Sequence, residues 1–494
     1  MIFNSIDFLL FFPVVVIAYY LIPVRFRYVW LLITSYYFYI SSDIRFLLYL
    51  IPLTLLTYGV GICVELQRGG KTGVRNHVAY LLIAAAVFII LTALGILKYA
   101  DFFIININRV VSRFGVTVKK PEWGLILPLG FSFYSLQAIG YLLDVYRKKI
   151  SAERNFLKFV LFLSFFPIIL SGPIERADHF LKQIHNSIKF DVQNIRKGLV
   201  TFAWGLYLKL VVADQLAAGV NSVISDYRDN YMKGCEIAVA TILFGIEIYC
   251  DFNGYSQMAR GSARILGIDV INNFRAPYLA ANIKEFWRRW HVSLTSWFTD
   301  YLYIPLGGNR KGVVRQYINI LIVFGLSGLW HGAAMNFVVW GLLNGVYLIL
   351  YDIYSKYDKK KADKRELFGD KVAKRIITFL VVDFAWFFFM MPDLKEALSA
   401  LWYAITNFNV PWIFSGSIFS MIPGKWELFV LLIGILILFF VDYVEDRGQD
   451  WVESVLRQRL MIRWGIYLFL VFSIILCGVY GNDYQQKAFI YFNF

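Results

Sequence analysis

One histidine of the sequence, His331, lies inside an apolar and aromatic run, FGLSGLWHGAAMNFVVWGLLNG at residues 324–345. An ionisable side chain within a membrane segment is costly, so it suggests a functional site. Burial disfavours the charged ring, and a neutral imidazole can accept a proton as a general base. The simpler alternative is a ring that only hydrogen-bonds between helices, which is the commoner role of a lone histidine.

Glycine residues surround His331 at regular spacing. Gly328 and Gly332 flank it, four residues apart, and Gly341 and Gly345 repeat that interval. Small residues at this spacing let two helix backbones approach closely. The pattern therefore predicts either tight helix packing around His331 or room for a narrow ligand beside it.

A row of polar and aromatic residues follows His331. Asn336, Trp340, Asn344 and Tyr347 fall on one face of a predicted helix, because residues three and four apart are neighbours there. They could line a pocket and orient a substrate, or they could form a packed polar stripe between helices. The sequence favours neither interpretation.

A second candidate segment is NIKEFWRRWHVSLTSWFTDYLYIPLGGNRKG at residues 282–312. Its aromatic residues recur at helical spacing, which predicts one amphipathic helix that contains His291, with Lys284, Arg288 and Arg289 elsewhere on its surface. Such a helix could lie on anionic lipid. Alternatively, its cations could hold the phosphates of a cytosolic acyl donor. His291 would be either a second catalytic ring or a structural residue.

Buried charges elsewhere have simpler interpretations. Asp251 lies near the end of an apolar stretch at 246–268, where pairing with an arginine such as Arg260 is slightly favoured over a role in the pocket. Lys209 and Asp214 also lie in an apolar run. We expect them to pair or to reach the membrane interface.

The elements that position these residues must be membrane helices. The 494 residues are 59% hydrophobic, with a mean hydropathy of +0.58, which is too apolar for a soluble protein. Residues 1–23 lack a basic start and a cleavage site, so we expect a retained first span. We predict an all-α polytopic protein with roughly 11–13 transmembrane and re-entrant helices. They lie near 7–22, 28–41, 46–65, 77–98, 122–145, 155–171, 197–215, 236–255, 317–331, 334–352, 376–391, 428–442 and 464–481.

Charge and cysteine usage exclude other classes. The net charge of +15 is explained by cytosolic loops that follow the positive-inside rule, and nothing else indicates nucleic-acid binding. The four cysteines are scattered and the five histidines lack HExxH spacing, so we expect no metal site. The basic segments at 67–75, 147–149, 258–316 and 359–365 are predicted to be cytosolic. We expect one membrane domain over 1–494, with its chemistry concentrated at about 246–352.

Several longer motifs resemble one family nearly from end to end. They are MIFNSIDFLLFF (1–12), ILPLGFSFYSLQAIGYLLDVYR (126–147), FFPIILSGPIER (165–176), GLYLKLVVAD (205–214), IYCDFNGYSQMA (248–259), EFWRRWHVSLTSWFTDYLYIPLGGNR (285–310), GLWHGA (328–333) and FIYFNF (489–494). Together they resemble the membrane-bound O-acyltransferase (MBOAT) family, and most closely its alginate O-acetyltransferase branch.

The resemblance implies a fold and a chemistry. The fold would be a ring of transmembrane helices around a thin central region, with an outer funnel and a tunnel to the cytosol. His331 matches the essential histidine of the family, and His291 matches a second one that is usually present. The reaction would move an acyl group from a cytosolic thioester, acetyl-CoA or an acyl carrier protein, with no bound cofactor. An extracytoplasmic partner of the SGNH-hydrolase type would often place the acetyl group on a polysaccharide.

Three functions follow as hypotheses. The first is O-acetylation of an exported polysaccharide by a multi-pass enzyme of a bacterial cytoplasmic membrane. An alternative within the family is the D-alanyl transferase of teichoic acids. From another class, a transporter or flippase would also suit broken helices and intramembrane charges, although it would predict two inverted halves that the sequence does not show.

Overall fold

The computed structural model describes residues 1–480 except 69–72, 120–125, 227–232, 359–367, 417, 418, 420 and 423. The predicted motif at 489–494 and the basic segment at 359–365 lie outside these described residues, as does part of the segment at 67–75.

Within the described residues the regular structure is helical and there is no strand, which confirms the all-α prediction. The α-helices are α1 (Ile6–Leu21), α2 (Arg27–Ile40), α3 (Leu47–Arg68), α4 (Gly73–Val111), α5 (Phe131–Tyr146), α6 (Phe156–Ser164), α7 (Phe166–Ile169), α8 (Ala177–His185), α9 (Val192–Tyr207), α10 (Asp214–Asp226), α11 (Gly234–Ile265), α12 (Ile283–Arg289), α13 (Val292–Phe298), α14 (Val313–His331), α15 (Met335–Asp358), α16 (Phe368–Met390), α17 (Leu394–Thr406), α18 (Val410–Phe414), α19 (Lys425–Asp446), α20 (Trp451–Leu456) and α21 (Leu460–Cys477).

Two compact units make up the chain. The first contains Met1–Leu199 and Ala259–Ile271, and the second contains Val200–Met258 and Asn272–Phe494. Each unit has its own buried aromatic and aliphatic core. The candidate chemistry predicted from the sequence lies in the second unit. The expectation of a single functional domain stays a prediction.

Seven helical segments in the described part of the chain are long and apolar enough to cross a membrane. They are Ile44–Arg68, Asn76–Phe114, Val192–Ser225, Val313–His331, Met335–Tyr357, Lys425–Asp446 and Leu460–Cys477. A helix rises 1.5 Å per residue, so about 20 residues cross the hydrocarbon core. The chain is therefore a multi-pass membrane protein, as its composition predicted.

Other predicted spans are short or interrupted helices. The segment predicted at 28–41 is the 14-residue helix α2, and the segment at 155–171 is divided into α6 and α7. Pro167 lies in the first turn of α7, where its missing N–H costs no hydrogen bond and its fixed φ suits a helix start. The segments predicted at 317–331 and 428–442 are parts of the longer helices Val313–His331 and Lys425–Asp446. A re-entrant path for α2, α6 and α7 stays a prediction.

Glycine residues set the packing of α14 against α15. A Cβ atom added to Gly328 would lie 2.1 Å from the Phe337 carbonyl oxygen, and one on Gly341 would lie 2.2 Å from the Phe324 carbonyl oxygen. Neither space can hold a methyl group, so the two backbones touch directly. Of the two alternatives that the sequence left open, the structure shows close approach of the backbones at Gly328 and Gly341, and this fixes α15 beside His331.

Candidate active site

A cavity of about 410 Å³ lies in the second unit. Along α14 its wall contains Gln316, Ile320, Ser327 and His331, which recur on one helix face. From Gln316 to His331 the helix advances 15 residues, or about 22 Å. Both predicted histidines, His331 and His291, line this cavity. The cavity wall therefore follows most of α14 and contains two imidazoles.

His331 is the last residue of α14 and is 4% exposed. Aromatic rings surround it: its ring centroid lies 5.0 Å from that of Trp330, 5.0 Å from that of Trp340 and 5.5 Å from that of Phe389. The three rings meet the imidazole edge to face, an arrangement that aromatic pairs prefer. These three aromatic rings hold the imidazole in one orientation and exclude water from the faces that they cover.

His291 lies on the other wall of the cavity and is 1% exposed. Its ring packs edge to face on Phe252, with centroids 4.7 Å apart, and lies 6.2 Å from the ring of Trp330. Trp330 therefore contacts both imidazoles. Burial lowers the pKa of His291 to about 3, so this ring is neutral at physiological pH.

The prediction of one continuous helix through His291 is wrong. Helix α12 ends at Arg289, α13 begins at Val292, and His291 has a φ of +44° and a ψ of 54°, in the left-handed region. Two hydrogen bonds stabilise this break: the Val292 N–H donates to the Asn273 carbonyl (3.0 Å) and the Ser293 N–H donates to Asn273 Oδ1 (3.2 Å). Left-handed backbone at a residue other than glycine is uncommon and clusters at functional sites.

The predicted donor-side cations separate into two groups. Lys284 and Arg288 are exposed, lie one turn apart on α12 and line the cavity. Arg289 does not line it, because its guanidinium pairs with Glu285 on its own helix and with Asp446 at 2.7 Å. A contact between donor phosphates and Arg289 is therefore not supported by the geometry, whereas Lys284 and Arg288 are free to face the cavity mouth.

Three predicted pocket residues lie on α15, and none of them is in the cavity wall. Trp340 reaches the site through its ring contacts with His331 and with Trp287, which lines the cavity. The Asn336 amide donates to the Met391 carbonyl (2.7 Å), and the Asn344 amide donates to the Trp340 carbonyl (2.9 Å). For the two asparagines, the packed-stripe interpretation fits better than the substrate-binding one.

Asp251, the fourth predicted pocket residue, also lies away from the cavity wall. Its carboxylate pairs with Lys209 at 2.7 Å, and Lys209 pairs with Asp214 at 2.9 Å. The three side chains are buried, and the single cation offsets one of the two carboxylate charges inside the unit. The predicted Lys209–Asp214 pair is confirmed, and the pairing of Asp251 with Arg260 stays a prediction.

Sequence reasoning missed Ser327 and Trp330. Ser327 lines the cavity one turn before His331, and its position four residues earlier was a signal that could have identified it. Trp330 gave no such signal, because its contact with His291 depends on how α13 and α14 meet. The aromatic residues of α16, such as Phe389, were missed for the same reason.

Known proteins resemble this chain over a region that contains the cavity. The model of the MBOAT, membrane-bound O-acyltransferase family, matches residues 146–394, which include both histidines. The probable alginate O-acetylase AlgI of Pseudomonas aeruginosa is 35% identical over 398 residues, which are 80% of this chain and 73% of the relative. The peptidoglycan O-acetyltransferase of Helicobacter pylori is 32% identical over 75% of this chain and 72% of its own length.

A more distant relative shares the family but has another printed activity. The teichoic acid D-alanyltransferase of Bacillus subtilis is 27% identical over 297 residues, which are 54% of this chain and 70% of the relative. The alginate and peptidoglycan relatives are more similar and cover more of the chain. The matched family region and these identities confirm the resemblance found in the motifs. The chain therefore belongs to the membrane-bound O-acyltransferase family, and it is an O-acyltransferase.

Proposed function

We propose that this enzyme moves an acetyl group from a cytosolic thioester to an acceptor hydroxyl across a bacterial cytoplasmic membrane. The observation that carries the proposal is one cavity with His331 and His291 in its wall and with the exposed cations Lys284 and Arg288 also lining it. A thioester arm is long, and the cavity wall follows α14 for about 22 Å. The acetyl group is favoured over D-alanine because the relatives named for O-acetylation are the more similar ones.

Surface charge supports a cytosolic position for the cavity mouth. Arg310, Lys311, Arg315 and Lys356 are exposed near the start of α14 and the end of α15. Tyr351, Asp352 and Ser355 of the same part of α15 line the cavity, so the basic side and the mouth coincide. Cytosolic loops of membrane proteins carry an excess of Lys and Arg. A soluble donor would therefore enter from this side.

In the proposed reaction His331 is the general base. Its neutral imidazole takes the proton of the acceptor hydroxyl while the oxygen attacks the thioester carbonyl. The tetrahedral intermediate then expels the thiolate, which receives that proton, so the products are an ester and a free thiol. A well-placed base contributes about 10²–10⁴-fold to such a step. His291 would assist by positioning reactants beside His331.

The donor, acceptor and partner belong to the proposal as well. The donor would be acetyl-CoA or an acetylated carrier protein, whose phosphates would meet Lys284 and Arg288 through charge-assisted hydrogen bonds. The acceptor would be an exported polysaccharide, reached directly or through an extracytoplasmic partner of the SGNH-hydrolase type. The names of the relatives, which refer to alginate and peptidoglycan, support a glycan. The D-alanyl and transporter alternatives remain as outcomes of the test.

The test measures thiol release, acyl transfer and substrate flux with purified protein in sealed proteoliposomes. Acetyl-CoA, an acetylated carrier protein and a D-alanylated carrier protein are supplied in turn. We expect His331→Ala to lower turnover at least about 100-fold, because a positioned base is lost. His77→Ala, at an exposed position of α4, serves as the matched control.

Three outcomes would contradict parts of the proposal. Thiol release by His331→Ala at the parental rate would exclude His331 as the base. Turnover of the D-alanylated carrier alone would favour the teichoic acid alternative. Substrate flux across the membrane without any acyl transfer would favour a transporter.

A further inference from the structure

A partly buried network of charges joins α12, α16 and α19. Asp446, at the end of α19, accepts from Arg289 of α12 through Oδ1 (2.7 Å) and from Arg375 of α16 through Oδ2 (2.6 Å). The Asp446 side chain is 11% exposed and that of Arg289 is 19% exposed. Each carboxylate oxygen accepts from a different helix, so the Asp446 side chain cross-links α19 to both α12 and α16 through salt bridges.

An unpaired carboxylate would be unfavourable at the position of Asp446. A carboxylate in the last turn of a helix faces the negative end of the helix dipole, which is unfavourable. It is also largely removed from water. The guanidinium groups of Arg289 and Arg375 offset both effects, and bonds between charged groups are the stronger class of hydrogen bond.

Hydrogen bonds to the backbone connect the salt bridge of Arg289 to both ends of α12. The Arg289 guanidinium also donates to the Ala276 carbonyl (3.2 Å), and the Arg275 N–H donates to the Arg289 carbonyl (3.1 Å). At the other end of α12, the Ala281 N–H donates to Glu285 Oε2 (2.8 Å), and Glu285 pairs with Arg289. Arg289 therefore helps to fix the orientation of α12 around its own axis, together with the buried side chains of Phe286 and Trp287.

A second contact of α19 supports the same helix end. Asp442, one turn before Asp446, accepts from the Tyr249 hydroxyl at 2.9 and 3.1 Å. The Tyr249 ring lies 5.9 Å from that of Trp290, the residue between Arg289 and His291. Two carboxylates of α19 thus hold the segment that leads into His291.

We propose that Asp446 is a positioning residue for the acyl donor, acting through Arg289. Adjacent residues of a helix point about 100° apart. Holding Arg289 against Asp446 therefore turns Arg288 towards the cavity mouth, and Lys284 one turn earlier faces the same way. Helix α19 lies beyond residues 146–394, which the family model matches, so the carboxylate that fixes the donor-side helix comes from outside that region. This inference rests on the proposed function for its account of the donor.

The test compares Asp446→Asn with the parent in acetyl-CoA turnover. We expect the KM for acetyl-CoA to rise about tenfold, the equivalent of one charge-assisted hydrogen bond to the donor, while kcat stays within about twofold. Asp446→Glu keeps the charge and should return the KM most of the way to the parental value. Glu453→Gln, which removes an exposed pair with Arg457 on α20, is the matched control and should change neither constant.

Hydrogen exchange provides a readout that does not need activity. Amides of 283–289 should exchange faster in Asp446→Asn and at the parental rate in Glu453→Gln. If Asp446→Asn does not fold, Arg289→Lys is tested in its place. A lysine keeps the positive charge but cannot donate to Glu285, Asp446 and Ala276 at the same time. It should show the same rise in KM and in exchange rate.

The outcomes separate the inference from the proposed function. A parental KM together with parental exchange at 283–289, in Asp446→Asn or in its replacement, would overturn the positioning role. A loss of kcat with unchanged KM would also overturn it, since that pattern indicates a role other than donor binding. Absence of any acetyl-CoA turnover by the parent would count against the proposed donor, while the exchange rates would still test the cross-link.

Discussion

At the scale of single residues, the sequence identified the two histidines but not their surroundings. His331 was recognisable because an ionisable residue in an apolar run is rare and costly. The ring contacts from Trp340 and Phe389 could not be predicted, because they depend on how α15 and α16 pack against α14. The break at His291 was missed because the bonds that stabilise it come from Asn273, 20 residues away from Ser293.

A third histidine, His179, predicts a pH effect on stability. It lies on α8, outside the membrane spans, and its Nδ1 is 2.9 Å from Glu175. The hydrogen bond to Glu175 raises the pKa of His179 above its ordinary value, and Asp269 contributes to the same shift. A raised pKa in the folded state gives stability that is present below about pH 6.5 and is lost as the pH rises through the folded value.

The measurement is the thermal unfolding of His179→Gln against the parent at pH 5.5 and pH 8.5. The His179 side chain is 42% exposed, so solvent screens the interaction and we expect the parent to be more stable by less than about 1 kcal/mol at the lower pH. At the higher pH this difference should disappear. His77→Gln is the control at an exposed site, and an advantage of the parent that grew with pH would show that the sign is wrong.

At the scale of helices, the spacing of glycines predicted the tight pairing of α14 and α15. That prediction succeeded because the packing requirement repeats along the sequence at a fixed interval. The division of 283–298 into two helices was not predictable from its aromatic periodicity, which continues across the break. The local sequence pattern determines which face of α12 and α13 is apolar. The end of α12 and the start of α13 are instead determined by tertiary hydrogen bonds.

The helix pair makes a prediction for Gly341. In Gly341→Ala the new methyl group would meet the Phe324 carbonyl, so the two backbones must separate. We expect a loss of about 1–3 kcal/mol in unfolding free energy, as for other overpacked sites, and a strong loss of turnover because Phe324 lines the cavity.

The matched control for Gly341 is Gly325→Ala on α14. Its added Cβ would lie 3.4 Å from the Leu342 side chain, which is an ordinary contact. Thermal unfolding and thiol release are measured for both variants. Equal behaviour of the two would show that backbone contact at Gly341 is not required.

At the scale of the whole molecule, composition was sufficient to predict a multi-pass membrane protein. Membrane spans can be predicted from the hydropathy of consecutive residues alone, because their length and apolar character do not depend on tertiary contacts. The link between Arg289 and Asp446 is of the opposite kind, because it joins residues 157 positions apart. Nothing in the local sequence of either residue specifies the other, so Arg289 was taken for a donor-binding residue.

Membrane orientation can be tested by cysteine labelling in a variant without the four native cysteines. The cavity mouth should be cytosolic, so Ser355→Cys should react with an impermeant maleimide only from that side. Lys395→Cys, just beyond the other end of α16, should react only from the opposite side. Labelling of both positions from one side would contradict the orientation. Thermal unfolding of each variant, compared with that of the cysteine-free parent, shows whether the protein remains folded.

The length of the cavity has a consequence for which donors can react. In the proposed reaction the acetyl group passes along α14 from Gln316 to His331, a rise of about 22 Å. A thioester whose flexible arm is shorter than this path could not bring its acetyl group to His331 while its soluble end stays outside the cavity. The proposed enzyme would therefore discriminate among thioesters by the length of the arm, before the identity of the acyl group matters.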